Sequence, residues 1–281
     1  GRVSRHGLIA YASSFDQIGP FANNVKDAAL VAQVIAGADD YDATVSQREV
    51  PNYYPIAKTN KKYKIAYIKE CIDSDGIDPD VKGRIEQLVN CLRADGHELI
   101  PVSFPLLDVM VPTYYVLTTA EASSNLARFD GVHFGYRSKE AVGVEETYTK
   151  SRSEGFGAEV KRRIMAGTFV LSQGYYDAFY TKAQKVRRLI KDKTDAILAN
   201  NDFILLPTTP STAFKLNDVK DPIQMYLQDI YTVHANLAGN PAISIPIGKH
   251  PNGMPFGMQL IGKNFGELEL FEAADFLMDF C

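Results

Sequence analysis

The sequence predicts an α/β fold, with a mixed β-sheet core covered by α-helices on both faces. Three observations carry this reading. "YKIAYI" (63–68) and "ELIPV" (98–102) are strand-like and enclose a helical pattern, and strand–helix–strand over about 40 residues is the signature of a crossover in a sheet at least partly parallel. "AISIPIG" (242–248) and "FGMQLIG" (256–262) flank the turn "KHPNGMP" and read as paired strands. Helical patterns dominate the chain between these two groups.

The elements follow in order. Asn23 or Asn24 caps a helix to about Ile35, whose apolar face is Val25, Ala28, Ala29, Ala32, Val34 and Ile35; Gly37 ends it. Residues 39–62 lack periodicity and read as loop. Asp78 and Pro79 start a helix with Val81, Ile85, Leu88, Val89 and Leu92 at helical spacing, stopped by Gly96. Helices are expected over 113–128 and 157–171, and most strongly over 174–200. "DFILLPTTP" (202–210) reads as a buried strand running into a loop, 222–238 as a helix, and 266–279 as a last helix.

The chain has 281 residues, 46% hydrophobic and 23% charged, with a net charge of −4. That balance gives no bulk attraction to nucleic acid. Cys71, Cys91 and Cys281 are odd in number and far apart, which points to reduced thiols in a cytoplasmic protein rather than to a disulfide framework or a zinc site. No apolar run reaches the about 18 residues a membrane span needs. The first residues look like mid-domain sequence, so the chain is expected to be part of a longer polypeptide.

Motifs are few. There is no GxSxG elbow. "GFGAEV" (155–160) lacks the third glycine of a dinucleotide loop. His6, His97, His133, His234 and His250 show no metal-ligand spacing and read as turn or surface residues. In "YASSFDQIGP" (11–20), Ser13 and Ser14 would need a base to act as nucleophiles; otherwise they satisfy backbone groups at a strand-to-turn junction, with Asp16 capping the turn. "EVKRRI" (159–164) is either a solvated helix face or a helix aiming one arginine at a cleft, and arginine's planar fork suits a carboxylate. Asp229, among apolar residues of an expected helix, calls for a cationic partner, from the protein or from a ligand. Arginine and aspartate together can clamp the two charged ends of a free amino acid.

The stretch from "GRVSRHGLIAYASSFDQIGP" to Gly37 resembles the segment that follows the Gly/Ser-rich signature of amidase-signature enzymes. Within that family, "EASSNLARFDGVHFGYR" (121–137), residues 151–187, and "NLAGNPAISIPIG" (236–248) with "PFGMQLIG" (255–262) resemble the glutaminase components of glutamyl-tRNA(Gln) amidotransferases. The resemblance implies an amidase-signature fold, with residues 1–281 as the C-terminal part of a single domain. It implies a glutaminase whose ammonia passes to subunits B and C, which convert Glu-tRNA(Gln) to Gln-tRNA(Gln). It places no cofactor in this chain, and ATP and magnesium in the partner. The family's catalytic lysine and two serines, and its oxyanion hole, lie upstream of "GRVSR", so no catalytic residue is carried over and this chain alone is expected to be inactive. The glutamine α-carboxylate is matched to Arg163, the α-amino group to Asp229, and a further pocket position to Tyr114, with Arg162 and Tyr115 as neighbouring alternatives. Two rivals remain: another amide hydrolase of the same family, and a non-catalytic binding or assembly module.

Overall fold

The computed structural model describes residues 1–216, 218 and 222–280, so Cys281 lies outside the described residues. Along the chain run α1 (Val25–Ile35), β1 (Lys64–Ile68), the single turn α2 (Lys69–Ile72), α3 (Pro79–Ala94), β2 (Glu98–Val102), α4 (Leu107–Asn125), α5 (Gly143–Gly155) and α6 (Ala158–Val170). They are followed by α7 (Lys182–Asn200), β3 (Phe203–Pro207), the short α8 (Pro222–Leu227) and α9 (Val233–Ala238), the strands β4 (Ala242–Lys249) and β5 (Pro255–Ile261), and α10 (Glu267–Leu277). The chain divides into two compact units. The first is residues 1–6, 17–111 and 187–281; the second is 7–16 and 112–186.

The first unit holds the sheet, in the order β2-β1-β3-β5-β4. β1 pairs in parallel with β2 and β3, whereas β5 runs antiparallel to both β3 and β4. The sheet is therefore mixed, as the strand–helix–strand unit and the hairpin predict. β3 is buried at all five residues, as a central strand covered on both faces must be. Asp78 caps α3, its side chain accepting the N–H groups of Asp80 and Val81, and Pro79 begins the helix with its φ already helical. The predicted stripe Val81, Ile85, Leu88, Val89 and Leu92 is buried in one cluster with Ile65, Phe203, Leu205, Met258, Leu260 and Leu277. Each such side chain contributes about 1.5–3 kcal/mol.

The second unit is helical. Its buried side chains are mostly small or polar, among them Thr113, Thr118, Thr119, Ala120, Ala122, Thr147 and Ser151. The Thr118 and Thr119 hydroxyls donate to the carbonyls of Tyr114 and Tyr115 one turn back, which settles them inside α4. Small residues let helices approach closely. A β-carbon on Gly167 of α6 would stand 1.9 Å from the Thr119 carbonyl oxygen of α4.

Three expectations are corrected, and one helix is added. The helix expected over 113–128 begins six residues earlier and carries Pro112 in its interior. The pattern over 174–200 opens with a π-turn at Tyr176–Thr181 before α7 starts. α5 is absent from the sequence reading, because "GVEETYTKSRSEG" is nearly all polar and buries only Thr147 and Ser151. The single helix expected over 222–238 is two short helices, so Asp229 lies in the turn that joins them.

Candidate functional site

Arg163 stands on α6 in the second unit. Its side chain is 26% exposed, against 61% for Arg162. That difference separates the two arginines: Arg162 pairs with Glu159 in solvent, and Arg163 is drawn inward. Glu159, one turn earlier, accepts from Arg163 Nε at 2.9 Å, and the Tyr11 hydroxyl accepts from Nη1 at 2.9 Å. The guanidinium carbon also lies 5.5 Å from the ring centroids of both Tyr11 and Tyr115, within cation–π range. Of a guanidinium's five N–H donors these contacts use two, and three remain for a ligand. Burial opposes the charge, but the hydrogen bonds to Glu159 and Tyr11 outweigh it and hold the group above its ordinary pKa. It is a permanent cation ringed by aromatic faces.

Tyr114 and Tyr115 leave α4 side by side with their rings edge to face, 5.2 Å apart. Tyr114 packs edge to face on Phe15 at 5.6 Å, and Tyr115 faces Arg163. Phe15 belongs to the double-serine loop. There Asp16 accepts the N–H groups of Tyr11 and Ala12, at 2.9 and 3.1 Å, and so closes the turn as the sequence predicts. Ser14 donates its N–H and its hydroxyl to Glu121, and the Ser13 hydroxyl accepts from Asn125. These contacts make the loop a braced scaffold.

Asp229 belongs to the first unit and is partly buried. Its N–H bonds the Tyr226 carbonyl at 3.1 Å, and its own carbonyl accepts from the Val233 N–H and the Thr232 hydroxyl. Two residues on, Tyr231 is buried, donates to the Cys71 carbonyl at 3.0 Å and accepts from Gln259 through its carbonyl. Arg187 donates to the carbonyls of Asn236 and Leu237 at the end of α9. The turn that presents Asp229 is thus tied to α2 and β5, and the α9 helix that follows it is tied to α7.

Two of the histidines differ from their sequence reading, whereas His6, His133 and His250 lie at the surface or beside turns as expected. His97 and His234 are buried, at 4% and 1% exposure. His97 Nδ1 accepts the Tyr63 N–H at 3.0 Å, and His234 Nε2 meets the Thr194 hydroxyl at 2.8 Å. Burial presses the His234 pKa down to about 4, which keeps the ring neutral at pH 7. His250 joins Asp78 and Asp80 in one group of cation-ligand type among the described residues. Its Nδ1 accepts the Asn252 N–H, which puts the ring proton on Nε2, 3.1 Å from Asp80. In that tautomer the ring donates to the carboxylate and clasps the β4–β5 turn to the start of α3.

Residues 1–271 match the amidase family model. The chain belongs to the amidase family. It is 54% identical over 278 residues to the A subunit of glutamyl-tRNA(Gln) amidotransferase from Fusobacterium nucleatum, a match covering 99% of this chain and 57% of that protein. It is 53% identical over 276 residues to the protein of the same name from Koribacter versatilis, covering 98% of this chain and 57% of that protein. The crystal structure of the Thermotoga maritima protein of that name superposes with a TM-score of 0.74 at 41% identity, over 97% of this chain and 54% of that one. The chain thus spans a little more than half the length of these relatives, and the resemblance read from its sequence blocks is borne out.

Proposed function

We propose that this chain forms the substrate-gripping part of a glutaminase, the A subunit of a glutamyl-tRNA(Gln) amidotransferase, which hydrolyses glutamine and supplies the ammonia that turns Glu-tRNA(Gln) into Gln-tRNA(Gln). The observation that carries the reading is Arg163, a half-buried, permanently charged guanidinium with three donors left over. A carboxylate is its natural ligand, because two parallel charge-assisted bonds match the fork. Asp229 receives the α-ammonium in this reading, and Tyr114 with Tyr115 lines the approach. None of these groups attacks the amide. They hold the amino acid by its charged end, so that the side-chain amide is delivered to the nucleophile, and such positioning can lower a barrier by several kcal/mol.

Subunits B and C are the proposed partners, with Glu-tRNA(Gln) as the acceptor and with ATP and magnesium handled by the partner rather than by this chain. No helix among the described residues is long and apolar enough to cross a membrane, and a cytoplasmic setting is proposed with the rest. The test is Arg163→Ala in the full-length protein. The expected result is a KM for glutamine raised by about tenfold to a hundredfold, corresponding to one lost charge-assisted contact, with the KM for glutaminamide, which lacks the carboxylate, much less affected. An unchanged response to glutamine removes the assignment.

A further inference from the structure

The double-serine loop has a task in the proposed glutamine site. Its turn is closed by Asp16, and the N–H groups of Phe15 and Asp16 return to the Ala12 carbonyl at 2.8 Å. Glu121 and Asn125 stand one helical turn apart, on one face of α4. Glu121 takes the Ser14 N–H at 2.8 Å together with its hydroxyl, and Asn125 donates to the Tyr11 carbonyl at 3.2 Å and to the Ser13 hydroxyl at 2.9 Å. The stretch from the Tyr11 carbonyl to Ser14 is therefore fixed to α4, the Tyr11 N–H is held within the loop by Asp16, and from that backbone the tyrosine's hydroxyl reaches Arg163.

An arginine side chain carries about 2 kcal/mol of rotamer entropy. Glu159 restrains Arg163 at one nitrogen, but it is only partly buried, lies on the same helix and is shared with Arg162. A second restraint from another segment, at a different nitrogen, fixes the plane of the fork.

We infer that Tyr11 is the positioning residue for Arg163, and that Ser13, Ser14, Glu121 and Asn125 serve to place Tyr11. The inference rests on the proposed glutamine reading and assigns a task to residues which that reading leaves idle. Tyr11 orients the guanidinium from the side and touches no reacting atom.

The test is Tyr11→Phe in the full-length protein, with glutamine and glutaminamide as substrates. The substitution keeps the ring against the guanidinium and the loop's bonds to α4, which run through backbone atoms and other side chains. The expected result is a KM for glutamine raised about fivefold to tenfold with kcat nearly constant, and an unaltered KM for glutaminamide. No change for glutamine, or an equal change for both amides, overturns the inference. Arg163→Ala, measured alongside, keeps the two ideas apart. If it fails to shift glutamine against glutaminamide, the glutamine reading falls. If it shifts them and Tyr11→Phe does not, only the role of Tyr11 falls.

Discussion

Replacing Gly167 by alanine sets two effects of opposite sign against each other. In a helix interior, alanine is favoured over glycine by about 1 kcal/mol. Here, however, the new β-carbon would stand 1.9 Å from the Thr119 carbonyl oxygen, 2.6 Å from its carbon and 2.8 Å from Ser123 Cβ, where ordinary contact begins at 3.4 Å. Two of those atoms are backbone, so no rotamer change makes room. α6 must move from α4 by about 1.5 Å, and the Ser123–Thr168 hydroxyl bond across the same contact is lost with it. Overpacking costs about 1–3 kcal/mol, and a rigid backbone obstacle belongs at or above the top of that range. The net expectation, after the helix gain, is a loss of about 2 kcal/mol, or a Tm lower by about 4–8 °C. Gly83 of α3 supplies the control, because a β-carbon there meets nothing within 4 Å. Gly83→Ala should therefore raise stability by up to about 1 kcal/mol. Thermal and urea unfolding followed by circular dichroism read both. A Gly167→Ala protein as stable as the parent would refute the close approach of the two helices.

Other outcomes follow from single residues. His234 is neutral in the fold with its pKa near 4, below the ordinary 6.5, so its contribution to stability is fully present above pH 6.5 and is lost as pH falls from there toward 4. The group's share of that loss is about 3 kcal/mol, and His234→Leu should flatten the difference between urea midpoints measured at pH 7 and pH 4.5. Asp78→Ala removes the acceptor for two N–H groups at the start of α3 and should cost about 1 kcal/mol in chemical denaturation; no loss would mean that Pro79 alone starts the helix.

Local chemistry made much of the first unit legible in advance. Asp78, Pro79 and the stripe from Val81 to Leu92 each point to the same helix, and the alternation in "AISIPIG" and "FGMQLIG" marks the hairpin. α5 escaped because its packing rests on two small polar residues and leaves no apolar stripe. The break at Asp229 escaped because "YLQDIYTVHANLAG" keeps apolar residues at helical spacing across a turn that Gln259 and Cys71 hold from outside through Tyr231. In the site, Glu159 could be seen from the sequence as the i−4 partner of Arg163. Tyr11 could not, because it lies 152 positions away and the loop bonds that aim it are set by tertiary structure.

The parallel seam between β1 and β3 has a consequence for how the chain folds. Lys64 and Asp202 are 138 positions apart, yet they share a backbone and a side-chain bond at that seam. Most of the second unit is strung between them. Closing so long a loop is slow, because its entropy is lost before the strand contacts return it. The cost is nonetheless insensitive to length, rising by only about 0.6 kcal/mol for each doubling. Insertions and deletions within residues 112–186 therefore barely alter the closure entropy of the sheet. The segment bearing Arg163 can change in length and sequence across descendants of this chain while the strand registers stay as they are.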